Sequence, residues 1–356
     1  MELNFKGKRV SSILGILPEK VGRFDDEAGN YSFPVNQTMR LKKIMGFDRH
    51  RLSKETTAVS DMAVRGLNHM FENGWVRKED IGAVIVVTMS PDYFVPHVSN
   101  VVHGECGFGQ DVLAMDIPQG CTGYVIGLMQ AFMFLDHMPD RKVALINGDV
   151  ITHRISKQDR NEYPVMGDAA AISIVENDPA GGEIPMSLMT DGSRRDALII
   201  PAGGFRTPST PETAVMKDSG DGNVRSDDQM FMDGTEVMNF VMREIPPLVD
   251  ALYQRAGKDR EETEYFLFHQ PNRFMLDKLA SRMKADKKKM PMDLVEQTGN
   301  PSGASIPLVT ALDLRDEMLE RKHSCCLCGF GTGLSAGALL MDFGGFDHCE
   351  VIETDL

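Results

Sequence analysis

The stretch VLAMDIPQGCTGYVIGLMQAFMFLDH, residues Val112–His137, decides how the rest of the chain is read. Val112–Ile117 is a short apolar run of the kind that forms a buried strand, and Pro118, Gln119 and Gly120 end it. From Cys121 onward apolar residues recur at helical spacing, at Val125, Leu128, Met129, Phe132 and Leu135. The spacing predicts Cys121 at a sharp strand-to-helix turn, in the first turn of a buried helix. Free backbone N–H groups and the positive end of the helix dipole there favour thiolate over thiol, and the thiolate is the nucleophile. Gly120 and Gly123 leave room for a substrate to approach. A lone cysteine on an apolar helix is more commonly a packing residue, so a chemical role depends on partners elsewhere in the chain.

Composition narrows the alternatives. The chain has 356 residues, about two domains on a prior of roughly 150 residues each. Hydrophobic residues at 42% and charged residues at 25% are ordinary for a soluble globular protein. No apolar run approaches the roughly 20 residues that span a bilayer. MELNFKGKRV lacks the hydrophobic core of a signal peptide, so the expectation is a cytoplasmic protein with no membrane partner. Six cysteines in a chain this long make no disulfide framework. Cys325, Cys326 and Cys328 cluster, but no second pair at zinc spacing accompanies them, and the cluster reads as a buried strand. The net charge of −14 argues against nucleic-acid binding and makes any basic stretch informative.

In chain order, Arg9–Leu17 reads as a strand, Asp25–Val35 as loop, and Glu55–Asn73 as an amphipathic helix with Val59, Met62, Ala63, Leu67, Met70 and Phe71 on one face. Ala83–Thr88 is a strand covered on both faces. The loop SPDYFVP (Ser90–Pro96) follows, then a helix over Val98–Cys106. After the Cys121 unit, Lys142–Asn147 and Gly167–Val175 are strands, and Asn177–Arg225 reads as a crossover with loops and one or two edge strands. A second cycle then begins. Gly234–Gly257 is helical, with Pro246–Pro247 expected to break or kink it. Tyr265–Phe268 is a strand, Pro271–Met283 a helix, Glu296–Gly303 a loop and Ser305–Leu319 a helix. Cys325–Phe330 and Leu334–Phe343 flank the glycine turn GFGTG. The two cycles match in order, which predicts a mostly parallel α/β architecture of two similar halves, residues 1–177 and 178–356, with the site between them.

Two motifs in the second half supply partners for Cys121. In FLFHQPN (Phe266–Asn272) a four-residue strand ends directly at His269, where catalytic groups gather in α/β folds. In QTGNPSGASIP (Gln297–Pro307), Asn300 sits in a Gly/Pro-rich loop before a helix. Asparagine there is commonly a turn former or cap, and a lone histidine is commonly structural. Together they fit one chemistry. A cysteine at a helix start attacks a thioester and is acylated. A histidine and an asparagine then donate hydrogen bonds where a second thioester's oxygen becomes an enolate, with the GFGTG turn offering backbone N–H groups as an oxyanion hole. The chain has no GxGxxG, Walker or HExxH motif, and no metal or organic cofactor is expected.

The order GC-x-GY, HQPN, GN-x-SGASIP and GFG-x-GLSAGALL resembles β-ketoacyl-acyl carrier protein synthase III, the initiating condensing enzyme of the thiolase superfamily. The resemblance runs from about Val10 to Phe343. It implies a thiolase-like layered αβαβα fold, a homodimer, and a role in fatty acid or related specialised acyl-chain biosynthesis. It implies Cys121 as the acyl-accepting nucleophile, His269 and Asn300 completing the catalytic set, and an oxyanion hole at the backbone N–H groups of Cys121 and Thr332. An acyl-CoA primer would load Cys121. A malonyl-acyl carrier protein would then lose CO2, and its carbanion would attack the acyl-enzyme. Arg160 matches a coenzyme A-contacting position. Tyr93, Phe94 or Val95, in a loop that reaches into the other subunit's tunnel in the family, would help bind and measure the acyl chain.

The chain departs from the pattern at Thr122, Tyr124 and Thr332, where the family often has Ala, Phe and Gly. Arg40 and Ile44 stand in the block where it carries a Trp and an Arg for coenzyme A. The primer's carrier, coenzyme A or acyl carrier protein, is therefore left open, as are its chain length and pathway. Arg273–Lys289 carries Arg273, Lys278, Arg282, Lys284 and Lys287–Lys289 against Asp277 and Asp286, a local charge of +5. Directly after the His269 strand, this stretch predicts a docking surface for an acidic carrier protein. Two other functions share these motifs: acyl transfer from Cys121 to a hydroxyl or amine without condensation, and a silent partner subunit, which would commonly have lost the cysteine.

Overall fold

Strand periodicity and helix faces together dictate five layers. The computed structural model describes residues 1–220 and 222–356. The principal strands are β1 (Glu2–Lys6), β2 (Lys8–Pro18), β3 (Ile81–Val87), β4 (Leu113–Ile117), β5 (Lys142–Asp149) and β6 (Ala169–Asn177). They continue with β7 (Glu183–Thr190), β8 (Tyr265–Phe268), β9 (Lys322–Gly331), β10 (Ser335–Gly344) and β11 (His348–Thr354). The helices that cover them are α1 (Val59–Glu72), α2 (Val98–Glu105), α3 (Gly123–Leu135), α4 (Gly234–Ala256), α5 (Arg273–Met283) and α6 (Ser305–Asp313). One sheet has the order β11-β2-β6-β5-β3-β4 and the other β1-β7-β10-β9-β8. Each terminal strand therefore pairs in the sheet built mainly from the opposite half of the chain.

Alternation along the strands sorts their side chains between layers. In the first sheet Leu14, Ile16, Val84, Val86 and Ile146 pack under α1 and α2. Ile13, Ile85, Val87 and Leu145 face the opposite way, onto Tyr124, Leu128 and Phe132 of α3. In the second sheet Leu267, Cys325 and Leu327 meet the same middle layer, whereas Phe266, Phe268, Cys326 and Cys328 lie under α4 and α5. The layers thus run α, β, α, β, α, with α3 and α6 in the middle. Helix α3 is buried nearly all round, as a helix between two sheets must be. The cysteine cluster belongs to β9, its side chains alternating between two apolar layers. Among the described residues no helix is long and apolar enough to cross a membrane.

Several sequence expectations need correction. The sheets are mixed rather than mostly parallel. β11–β2, β5–β3 and β3–β4 are parallel, as is β8–β9, but β2–β6, β6–β5, β9–β10, β10–β7 and β7–β1 are antiparallel. The turn at Thr332–Leu334 is too short for a crossover, so β9 and β10 form a hairpin. The supposed crossover after Asn177 contains β7, which is paired on both sides rather than an edge strand. Asp25–Val35 is not all loop, since short helical turns occupy Phe24–Glu27 and Ala28–Asn30. Helix α4 runs unbroken through Pro246 and Pro247. An interior proline costs about 3 kcal/mol. Full burial of Phe240, Val241, Ile245, Val249 and Leu252, at roughly 1.5–3 kcal/mol each, outweighs the two. Helix α5 starts after Pro271, where the Asn272 side chain accepts from the Met275 N–H at 2.8 Å. Leu294–Thr298 is helical, and the helix expected over Ser305–Leu319 is interrupted at Leu314, which turns Leu314 and Met318 into the core.

The two halves are stitched beside the site. Asn300 N–H donates to the Val165 carbonyl at 2.6 Å, and Gly167 N–H donates to the Asn300 carbonyl at 3.1 Å. A Cβ on Gly167 would sit 1.9 Å from the Thr298 carbonyl oxygen, a backbone atom with little freedom to move. Gly167→Ala should therefore cost about 2–3 kcal/mol, read as a lower denaturant midpoint at unchanged slope. A midpoint equal to the wild type would show that this seam is not tight.

Candidate active site

The site forms where four chain segments end against one another. Cys121 lies in the turn between β4 and α3, and the helix proper begins at Gly123 after a Thr122 cap. The sulfur is thus just before the first turn, not within it. Its floor is β9: a Cβ on Gly331 would stand 2.6 Å from the Cys121 Cβ and 3.0 Å from Sγ, so only glycine lets the strand pass. His269 follows the last residue of β8, held by its N–H donating to the Cys328 carbonyl at 2.8 Å. Asn300 follows the Leu294–Thr298 turn at the seam with residues 165–167.

Cys121, His269 and Asn300, far apart in sequence, line one cavity of about 510 Å³ with Phe330 and Gly331. All three are buried. The walls also include Leu41, Arg160, Asn161, Asn239 and Phe274, and seven methionines line the space: Met45, Met89, Met166, Met230, Met232, Met238 and Met275. Methionine is flexible and polarizable, and a wall rich in it accommodates apolar chains of varied shape.

Local hydrogen bonds fix the polar groups. His269 Nδ1 is 2.8 Å from Ser305 Oγ, which also accepts from the Gln270 N–H at 3.4 Å. The Ser305 hydroxyl can donate to Nδ1, and in that tautomer the neutral ring presents Nε2–H as a donor. Phe330 packs edge-on to the imidazole, centroids 5.5 Å apart. Asn300 Oδ1 accepts from the Ser302 N–H at 2.9 Å, which leaves the amide NH2 as the cavity-facing group. The turn-forming and donor roles of Asn300 are therefore one arrangement.

Burial governs the charges. It pushes the Cys121 thiol up to about 12; the Asp149 carboxylate adds to the rise, and the Ser302 hydroxyl and the backbone N–H groups of Cys121 and Thr332 oppose it. The thiolate expected from the helix dipole is not the resting form, because desolvation outweighs those donors. Burial drives His269 down to about 3, against a smaller contribution from the Ser302 backbone, so the imidazole is neutral at neutral pH. Asp149, at the end of β5, is raised by burial to about 6, with Met89, Ser302, Ser90 and Thr88 opposing. The arrangement offers a protonated buried nucleophile, two neutral donors and two backbone N–H groups, which suits oxyanions that form and vanish within the reaction.

The remaining sequence candidates divide. Thr332 contributes its N–H near the sulfur, and its hydroxyl contacts Met89 Sδ at 3.3 Å. Arg160 reaches the cavity wall with its guanidinium 3.2 Å from the centre of the Phe33 ring. Tyr93 and Phe94 do not enter this cavity. They stand 60% and 64% exposed with Val95, and Phe94 meets the exposed Phe205 at 5.1 Å between ring centroids. Arg273 is not a free docking cation, because it pairs with Asp293 at 2.7 Å and Glu296 at 2.6 Å. Lys278 lies over the ring of Phe274, which lines the cavity, and Lys278, Arg282 and Lys284 are exposed. Sequence reading missed Asp149, Ser302 and Ser305. Asp149 was within reach of it, since it closes the strand KVALINGD at a carboxyl end.

Comparisons with known proteins give the chain's family. Residues 115–192 match the family model described as 3-oxoacyl-[acyl-carrier-protein (ACP)] synthase III, and residues 253–343 match that of its C-terminal part. The chain is 30% identical over 300 residues to the β-ketoacyl-[acyl-carrier-protein] synthase III of Latilactobacillus sakei, covering 84% of this chain and 89% of that one. It is similar to the crystal structure of a 3-oxoacyl-(acyl-carrier protein) synthase from Burkholderia xenovorans, with a TM-score of 0.91, 28% identity and 99% of each chain covered. A 3-oxoacyl-(acyl-carrier-protein) synthase III structure superposes with a TM-score of 0.89 at 32% identity, covering 94% of this chain and 99% of the other.

A thiol raised to about 12 remains mostly protonated throughout the working range. Alkylation of Cys121 by iodoacetamide, followed by peptide mass mapping, should rise about tenfold per pH unit from 6 to 9 without levelling. A plateau below pH 8 would mean a stabilised thiolate and would contradict this account of the site.

Proposed function

The chain belongs to the β-ketoacyl-acyl carrier protein synthase III family, and we propose that it joins an acyl thioester primer to malonyl-acyl carrier protein through an acyl-Cys121 intermediate. The reaction is a decarboxylating Claisen condensation that yields a β-ketoacyl-acyl carrier protein for fatty acid or related acyl-chain biosynthesis. The observation that carries the reading is the convergence of Cys121, His269 and Asn300 on one buried cavity.

Each step follows from the chemistry of these groups. Cys121 attacks the primer carbonyl, and the backbone N–H groups of Cys121 and Thr332 receive the oxyanion. The malonyl thioester then loses CO2. Its carbonyl oxygen becomes an enolate, stabilised by Nε2–H of the neutral His269 and the amide of Asn300. A neutral imidazole suits this task, because it remains a hydrogen-bond donor without a full charge in an apolar cavity. The enolate carbon attacks the acyl-cysteine and expels the thiolate. The chain supplies every polar group in these steps, and no metal or organic cofactor is invoked.

The partners follow from the surface. Acyl carrier protein docks on the exposed cations Lys278, Arg282 and Lys284, beside the Phe274 wall of the mouth, and delivers its arm along the cavity. Arg160 contacts the carrier end of the primer, coenzyme A or carrier protein. The chain works as a homodimer in the cytoplasm. Tyr93, Phe94, Val95 and Phe205, between 60% and 89% exposed, form an apolar patch that a second copy would cover, placing Tyr93 and Phe94 against the partner's acyl chain. Acyl transfer without condensation would leave the paired donors His269 and Asn300 without an enolate to stabilise.

Release of labelled CO2 from malonyl-acyl carrier protein tests the condensation. His269→Ala should lower it by about 10²-fold or more while Cys121 still takes up acyl groups, and Cys121→Ala should abolish acyl uptake. Acyl uptake with no CO2 release by the wild type would favour the simple transferase instead. Arg282→Glu with Lys284→Glu should raise KM for the carrier-protein substrate about tenfold and leave acylation of Cys121 by a small thioester unchanged. An equal effect on both would remove the docking surface from this part of α5.

A further inference from the structure

Behind the nucleophile lies a group of buried polar atoms without hydrogen-bond partners among the described residues. Asp149 is wholly buried at the end of β5. Its Oδ1 accepts from the Thr88 hydroxyl at 3.0 Å, the Met89 N–H at 2.7 Å and the Ser90 hydroxyl at 2.9 Å. Its Oδ2 accepts no hydrogen bond from any described residue. Ser302 is equally buried, and its Oγ is also unpaired. Its backbone takes the left-handed conformation, φ 51°, rarely adopted by residues other than glycine, and Asn300 Oδ1 holds it there through the Ser302 N–H. The Ser302–Ala304 turn packs on β5 beside the nucleophile, since a Cβ on Gly303 would stand 3.3 Å from Asn147 Nδ2 and 2.9 Å from the Gly120 carbonyl oxygen; the Ser302 hydroxyl favours the ionised form of both Cys121 and Asp149, yet completes a hydrogen bond to neither. Asn147, two residues before Asp149 on the same strand face, leaves both amide atoms unpaired. Buried polar groups are normally satisfied, and strain gathers where a site needs it.

A resting thiol must lose its proton when it attacks. His269 is poorly suited to take it, because Nδ1 is engaged by Ser305 and burial holds the ring neutral far below neutral pH. Asp149 is the stronger base of the two, and its negative charge already works against a thiolate. Moving the proton from sulfur to carboxylate keeps one negative charge in the pocket rather than two.

We propose that the Ser302 hydroxyl passes the Cys121 proton to Asp149 Oδ2 as the primer is loaded. The Cys121 S–H proton moves to Ser302 Oγ, and the Ser302 proton moves to Oδ2. The freed electron pair on sulfur forms the Sγ–C bond, and the thioester oxygen becomes the oxyanion. When the C–S bond to the primer's carrier breaks, the departing thiolate takes a proton back along the same two oxygens. Atoms and charge balance, and Asp149 ends ionised. In this relay Ser302 takes the proton from the reacting sulfur, whereas Asp149 acts through Ser302. The other groups recorded against Asp149, from Thr88, Met89 and Ser90 after β3 and from Ser302 in its turn, are uncharged; the Cys121 thiol is the titratable one.

The proposal rests on the acyl-cysteine reading, and the test separates the two. Loading is followed by intact mass, using whichever of acetyl-, hexanoyl- and octanoyl-CoA loads the wild type fastest. Asp149→Asn and Ser302→Ala should each slow loading by about 10²-fold. Decarboxylation of malonyl-acyl carrier protein measured in the absence of primer, which needs no thiol deprotonation, should fall far less, so the ratio of the two separately measured rates drops. Asp149 must be ionised to accept a proton, so wild-type loading should weaken as pH falls through about 6, and Asp149→Asn should lack that acid limb. Asp149→Glu should restore part of the rate. The relay is overturned if either variant loads like the wild type, if the acid limb persists without Asp149, or if loading and decarboxylation fall in step. A wild type that never acquires an acyl group would instead overturn the acyl-cysteine reading itself.

Discussion

The constraint on which the site depends is the close passage of β9 beneath Cys121. Two sheets sandwich a middle layer of helices, and the turn that opens α3 must fit against a strand of the opposite sheet. Glycine at 331 permits this, since a Cβ there would meet the Cys121 side chain. The sulfur is thereby held beside the residues that close β8 and the loop before α6. Without this contact, His269 and Asn300 would belong to another half of the molecule with no chemical relation to the cysteine.

Close packing has an electrostatic consequence. A nucleophile sealed between two sheets is desolvated, and desolvation favours neutral forms. Cys121 rests as a thiol, His269 as a neutral imidazole, and the neighbouring carboxyl Asp149 titrates near neutrality. Such a pocket favours directed neutral donors over stored charge, because uncompensated charge in it is costly. The methionine-rich wall fits the same logic, lining the cavity with atoms that adapt to an apolar guest without charge.

At the surface solvent reverses the balance. Arg273, Lys278 and Arg282 on α5, with Lys284 and Lys287–Lys289 after it, form a basic stretch on a protein of net charge −14, yet tertiary contacts withdraw Arg273 into pairs with Asp293 and Glu296. What survives is a smaller cationic surface beside the mouth. Sequence proximity counted charges, and only the fold showed which of them acidic side chains already neutralise.

The amino-acid sequence by itself determined the elements and the chemical inventory. Alternating and helical periodicities mark most strands and helices, because burial on a face is a local pattern. Separated motifs identify Cys121, His269 and Asn300, because strand ends and glycine turns are local as well. Tertiary structure alone decided what depends on distance between remote residues. It set the mixed strand order, the exchange of terminal strands between sheets, and the unbroken run of α4 through two prolines, where packing on the sheet outweighs local propensity. It also decided the protonation of the site: a helix start in isolation favours thiolate, but the same cysteine enclosed on all sides and facing Asp149 keeps its proton, since desolvation is a property of the whole surrounding and not of the neighbours in sequence.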